Sequence, residues 1–225
     1  MKSSLPKSFI FKNQLLHLLL LIPIFFGTVY LADLNSSTGS LLGIQTVTWF
    51  YLTIVNVIVH QFIVWFVFRF QLVYKLFSRL FGKYDLIIWG FIFFPFLILR
   101  PVLTLMTGIS DFQSLYEISM ISATIGVLLL IPAFYTLFSV YKYFGLKRAL
   151  GGDHFRDKYR NMPLVREGMF KYSSDAMYLF AFLLFWAIGI FTGSRVALSL
   201  ALFQHSYIWV HMYCTEEPDM REIYG

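Results

Sequence analysis

Apolar residues run through this chain in long blocks, with the polar residues gathered between them. The first block is Leu15 to Ala32, interrupted chiefly by His17 and Pro23. Crossing a bilayer core of roughly 30 Å takes about 20 residues of helix, and this block has about that length. Comparable blocks follow at about Val47 to Phe68, Leu86 to Met106 (containing Pro95, Arg100 and Pro101) and about Ile118 to Val140. The last, Ala176 to Tyr213, is too long for one crossing. Phe191-Thr192-Gly193-Ser194-Arg195 breaks it near the middle, so it reads as a tight hairpin of two helices, the first rather short. The pattern predicts an all-α integral membrane protein with about six transmembrane helices and a C-terminal helical hairpin. It forms a single membrane domain, with four spans in 1–140 and a loop, the hairpin and a tail in 141–225.

Composition supports this reading. Charged residues make up only 13% of the chain, about half the usual ~25% of soluble domains, so most of the sequence is not solvated surface. The net charge of +6 would suggest nucleic acid in a soluble protein. Here the basic residues lie between the apolar blocks, and no nucleic-acid partner is expected. If there are six spans, 16 of the 18 Lys and Arg residues fall on one side. They include Lys2, Lys7 and Lys12 at the N-terminus, Arg69 to Lys83 after the second span, Lys142 to Lys171 after the fourth, and Arg221 in the tail. The opposite side has Asp33, Asp111 and Glu117, with Arg195 at the hairpin tip. The positive-inside rule then places both termini in the cytoplasm. The first span has no small-residue cleavage site after it and reads as retained.

Isolated polar residues admit simple readings. Arg100, next to Pro101, reads as an interfacial anchor that snorkels. Asn56, His60 and Gln61 in the second span point to an interhelical hydrogen bond. His205 and His211 are six apart and do not share a helix face. They predict no metal site, and His205 reads as a packed histidine. Cys214 is the only cysteine, so no internal disulfide forms. Gly151-Gly152-Asp153 reads as a turn. The stretch from Tyr141 to Tyr172 mixes charges with Tyr143, Phe144, Phe155, Tyr159 and Phe170, which predicts an ordered, partly helical segment at the membrane interface. Ser173-Ser174-Asp175 before an apolar helix carries an N-cap pattern at Asp175.

Two polar clusters remain, Leu164 to Tyr178 and His211 to Gly225. The hairpin joins them, so their ends meet on one face: cations from the first, carboxylates from the second, and an apolar wall from the helices. Gly-x-Phe-x-Tyr-x-x-x-x-Met-Tyr, a hydrophobic hairpin, Glu-Glu and Tyr-Gly together resemble the phospholipid methyltransferase and isoprenylcysteine carboxyl methyltransferase superfamily. Gly168, Phe170, Tyr172, Met177 and Tyr178 match its first motif, while Ser174-Asp175-Ala176 stands where Arg-His-Pro is usual. Glu216-Glu217-Pro218 with Glu222-Ile223-Tyr224 is most similar to phosphatidylethanolamine N-methyltransferases, and Tyr143-Phe144-Gly145 resembles the same enzymes. The resemblance covers roughly Tyr141 to Gly225.

That resemblance implies a methyltransferase that uses S-adenosylmethionine and acts on a lipid within the bilayer, first of all an aminophospholipid. By the same resemblance, Glu216 and Glu217 contact the cofactor, and Arg166, Lys171 and Tyr172 complete its pocket. An amine must lose a proton before it attacks, so a carboxylate, His or Tyr near the nitrogen is needed. Asp175, Tyr178 and His211 are the candidates. Two alternatives stay open: an isoprenylcysteine carboxyl methyltransferase-like enzyme, whose carboxylate substrate needs no base, and a non-catalytic membrane protein that retains the scaffold.

Overall fold

A computed structural model describes residues 5–225; Lys2, counted above among the N-terminal cations, lies outside the described residues. A short helical turn at Lys7–Phe11 leads into α1 (Gln14–Ala32). A two-residue hairpin, β1 (Ser40–Leu41) and β2 (Ile44–Gln45), precedes α2 (Thr46–Tyr74). Then come α3 (Leu76–Phe81), α4 (Asp85–Ser110) and α5 (Met120–Ser139). Three single-turn helices, α6 (Leu146–Ala149), α7 (Gly152–Phe155) and α8 (Asp157–Arg160), order the basic segment, as its mixed composition predicts. The C-terminal hairpin is α9 (Leu183–Thr192) and α10 (Arg195–His211), and α11 (Glu217–Tyr224) closes the chain.

Among the described residues, four helices are long and apolar enough to cross a membrane: Lys7–Ser36, Thr46–Tyr74, Leu76–Ser110 and Met120–Phe144. They overlap the first four predicted blocks. Their bulky side chains face outward, with Leu19 and Phe26 on α1, Phe91 and Ile98 on α4, and Leu128 and Ile131 on α5 all exposed. In water this would be costly; in lipid it is the favourable arrangement, because each helix satisfies its own backbone. The chain is a multi-pass membrane protein.

The hairpin is built differently. Its first arm, Met177–Thr192, is a shorter apolar helix, and α10 has 17 residues. α10 is the central post of the bundle. Val196, Leu200, Phe203, Tyr207 and Val210 are buried there against Leu21 of α1 and Phe50, Ile54 and Val57 of α2. Because its neighbours shield it from lipid, α10 carries Gln204 and His211 at no exposure.

The hairpin turns where the sequence broke the apolar block. Gly193 adopts φ +59°, and a Cβ there would stand 2.5 Å from the Tyr116 carbonyl oxygen. Ser194 caps α10 by accepting from the Ala197 N–H at 2.9 Å. The tip is tied to the α4–α5 connection: Asp111 accepts from the Ser194 hydroxyl at 2.6 Å, and the Gln113 N–H donates to the Thr192 carbonyl at 2.8 Å. Arg195 pairs with Asp33 at 2.7 Å beside it.

Two expectations change. Arg100 is no interfacial anchor: it is 2% exposed, inside the bundle. Proline at 101 leaves α4 unbroken, and packing against α2 and α10 turns the side chain inward. Asp175 does not cap with its side chain; its own N–H donates to the Ser173 hydroxyl at 3.1 Å. Two readings hold. Asn56 donates across to the Phe96 carbonyl at 3.1 Å, and His205 packs on Phe182 while accepting from the Trp186 indole N–H at 3.1 Å.

Candidate active site

At the end of the bundle opposite the hairpin tip, the two polar clusters meet. Three π-helical turns, Val140–Phe144, Met177–Ala181 and Met212–Glu216, lie at this end. Such turns widen a helix locally and recur at functional sites. The last one carries the chain from α10 to Glu216 and α11.

The first motif docks the segment before the hairpin onto the end of α5. Gly168 has φ +59°, and a Cβ on it would lie 2.4 Å from the Ser139 hydroxyl oxygen. The same hydroxyl accepts from the Met169 N–H at 2.9 Å. Phe170 stacks on Phe144 with ring centroids 5.2 Å apart. The Tyr143-Phe144-Gly145 and Gly168-x-Phe170 stretches therefore form one packing unit, which fixes where Tyr178 enters the bundle.

Tyr178 donates a hydrogen bond from its hydroxyl to Glu216 across the mouth of the hairpin. Its ring lies against Trp209, centroids 5.8 Å apart. On the other side of Glu216, His211 Nε2 stands 3.7 Å from Oε1. His211 is fully buried, and both its ring nitrogens lack a hydrogen-bond partner among the described residues. Burial pushes the Glu216 carboxyl above its ordinary range, against the opposing pull of the Tyr178 hydrogen bond and of His154. A carboxyl so poised can hold or pass a proton closer to neutrality than an exposed one.

The other candidates lie on the segment leading into the hairpin and at the start of α11. Asp175 is partly buried at the start of the hairpin, and its carbonyl accepts from the Tyr178 and Leu179 N–H groups at 3.0 Å. Arg166, Lys171 and Tyr172 lie exposed along the docked segment. Glu217 points away from Glu216 and pairs with Arg221, 2.5 Å away on α11.

A second buried network supports the site, and the sequence did not single it out. Arg69 of α2 is completely buried, its Nε 2.6 Å from Asp219 Oδ1. Its other nitrogens donate to the carbonyls of Phe9, Cys214 and Thr215. His154 of α7 bridges Asp219 at 3.2 Å and Asp153 at 3.1 Å, under a Phe68 ring stacked at 3.9 Å. Tyr224 donates to Asp153 at 3.0 Å. Burial alone would lower the His154 pKa, but its hydrogen bonds to Asp153 and Asp219 and their charges outweigh this and raise it to about 9. Burial would raise the Asp153 carboxyl, but the His154 hydrogen bond and charge, with the Tyr224 and backbone hydrogen bonds, together hold it below the ordinary carboxylate range. One closed set of ion pairs thus fastens the N-terminal turn, α2, α7 and α11 beneath Glu216. The available signal was an acidic residue in the tail (Asp219) and a lone Arg at the end of a span (Arg69), both indistinguishable in sequence from solvated charges.

Comparison with known families bears on this end of the molecule. Residues 121–225 match the model of the phospholipid methyltransferase family. This family region starts one helix earlier than the motif resemblance, taking in nearly all of α5, the helix on which Gly168 and Phe170 dock. No curated protein and no solved structure matches the chain. Within the family region, Tyr178, His211 and Glu216 are brought together, with Asp175 close by in the chain, while Arg166, Lys171 and Tyr172 are exposed on the segment that leads into the hairpin.

Proposed function

We propose that the protein is an S-adenosylmethionine-dependent methyltransferase acting on a membrane-embedded lipid, with the amine of an aminophospholipid as the methyl acceptor. The observation that carries this is the convergence of Tyr178, His211 and Glu216 inside the region that matches the phospholipid methyltransferase family.

The residues present fit the cofactor. Glu216 offers a partly buried carboxylate to its ammonium group, Arg166 and Lys171 offer cations to its carboxylate from the docked segment, and the Tyr178 and Trp209 rings offer an aromatic wall. S-adenosylmethionine supplies an activated methyl group. The protein's own task is to align the acceptor, exclude water and remove a proton. His211 is the proton acceptor in this reading: among the described residues its ring nitrogens make no hydrogen bond, and Glu216 stands beside it to stabilise the imidazolium that forms. Tyr178 holds Glu216 in place. Glu217, paired with Arg221, takes the more peripheral part of the acidic pair.

In this reading six helices cross the bilayer, the hairpin counting as two, with both termini in the cytoplasm. The structure brings the basic segments to one end, where Lys12 faces Glu222 at 3.6 Å and Arg156 faces Asp85 at 2.5 Å, and this supports the charge-based orientation.

The test is methyl transfer from labelled S-adenosylmethionine in membranes containing the protein, with Glu216→Gln and His211→Ala beside it. The expected result is label in a phospholipid that both variants lower by about 100-fold, the scale of losing a positioned proton acceptor. Base-labile label on protein would move the assignment to a carboxyl ester. No label, with no cofactor binding by the purified protein, would make it a scaffold without this chemistry.

A further inference from the structure

Arg100 stands near the middle of α4, and its Nε and Nη2 have no hydrogen-bond partner among the described residues. Three other buried side chains around it also have unpartnered polar atoms. Gln204 of α10 donates to the Thr104 hydroxyl at 2.9 Å, and that hydroxyl donates to the Arg100 carbonyl at 2.8 Å, so Gln204 lies against the same turn of α4. Its Oε1 is left over. His60 of α2 lies on the other flank, packed on Phe93 and Phe96 at 4.7 and 5.8 Å, with both ring nitrogens unpartnered. His211 is the third. All four side chains are at most 2% exposed. Arg100 is in electrostatic reach of His60, Tyr207 and His211.

Direction also matters. Side chains lean toward the N-terminus of their helix. α4 starts at the site end of the bundle and α10 at the hairpin tip. Arg100 therefore leans toward the site, and His211 leans back toward Arg100.

A guanidinium without a counter-charge inside a membrane bundle is costly. Buried water can accept from its N–H groups but brings no opposite charge. An oxyanion does both, and the planar fork of arginine fits phosphate with two parallel hydrogen bonds. We propose that Arg100, flanked by His60, binds the phosphate of a membrane lipid's headgroup within the bundle. The outer face of the same turn, Leu99 and Val102, is exposed, so this part of α4 borders the bilayer; in the proposal the lipid headgroup enters from there by parting neighbouring helices, its chains still in hydrocarbon. In an aminophospholipid the amine and phosphate are two carbons apart. An amine at His211 leaves its phosphate on the Arg100 side. That placement rests on the methyltransferase reading; the anion site itself does not.

The experiment is the thermal midpoint of the purified full-length protein in detergent with phosphatidylethanolamine, diacylglycerol or inorganic phosphate, for wild type, Arg100→Gln and Arg100→Met. Phosphatidylethanolamine is expected to raise the wild-type midpoint well beyond diacylglycerol, and inorganic phosphate to leave it unchanged. Without lipid the variants should melt at or above wild type, having lost an unpaired buried charge, and they should lose the phospholipid-specific rise. Equal shifts from phospholipid and diacylglycerol in wild type overturn the proposal, and this comparison holds even if a variant does not fold. A rise from inorganic phosphate, with no phospholipid-specific rise, overturns the lipid assignment. Methyl transfer in the same preparations separates the two readings. Phospholipid-specific binding that Arg100→Gln abolishes, with no methyl transfer by wild type, keeps the anion site and removes the enzyme. Methyl transfer with the same phospholipid preference in wild type and Arg100→Gln keeps the enzyme and removes the anion site.

Discussion

Asp219 is an acid whose neighbours make it structural. It neutralises Arg69 and His154 at once, all three buried. Removing one member of such a set leaves the others charged in a poorly solvating interior. Asp219→Ala is expected to cost roughly 3–5 kcal/mol, measured as a shift in the unfolding midpoint in detergent. His154 adds a pH dependence. Its pKa is raised from the ordinary 6.5 to about 9, so the stability it contributes is complete below about 6.5 and is lost as pH rises through about 9. Unfolding midpoints should fall across that alkaline range in wild type, and His154→Gln should be lower at neutral pH and flatter above it. A wild-type profile with no alkaline fall would mean that His154 is neutral in the fold.

Helix contacts in this bundle depend on small residues rather than on exclusion of water, since lipid is as apolar as the side chains. A Cβ on Gly108 of α4 would stand 2.7 Å from Thr192 Oγ1, and one on Gly126 of α5 would stand 2.8 Å from the Phe191 ring. Both contacts hold the short α9 against its longer neighbours. Gly108→Val is expected to wedge α4 from α9 and cost about 1–3 kcal/mol, again read from the unfolding midpoint. Gly168→Ala should act at the site. Its φ of +59° and its contact with Ser139 leave no room for a methyl, so the docked segment should loosen, raising KM for the cofactor more than it lowers stability. Unchanged KM would detach that segment from the cofactor.

For the whole molecule, the folded arrangement brings the N-terminal turn, α7 and α11 to the same end as Glu216, and places β1, β2 and the hairpin tip at the other. Orientation can be read with an impermeant thiol reagent on sealed cells, because the native Cys214 is fully buried. A cysteine at exposed Leu42 should label from outside, and one at exposed Lys171 only after permeabilisation. The reverse pattern would invert the topology.

Hydrophobic run length alone located the four long helices, and the Thr192-Gly193-Ser194 break located the hairpin, because a lipid-facing helix must be apolar for its whole length. The basic segments announced which end would gather charge, and the Gly168, Phe170 and Glu216 motifs announced the likeness to phospholipid methyltransferases that residues 121–225 bear out. Other features depended on the tertiary structure. α10 read as one arm of an apolar hairpin, yet it is the buried post of the bundle, because its neighbours replace lipid around it. Arg100 looked like an anchor and Arg69 like a loop charge; both are interior, since burial depends on which helices pack where, and that information is spread over the whole chain. Glu216 and Glu217 are adjacent in sequence and equivalent in motif. Only the π-helical turn at Met212–Glu216 sets one toward Tyr178 and His211 and leaves the other to pair with Arg221.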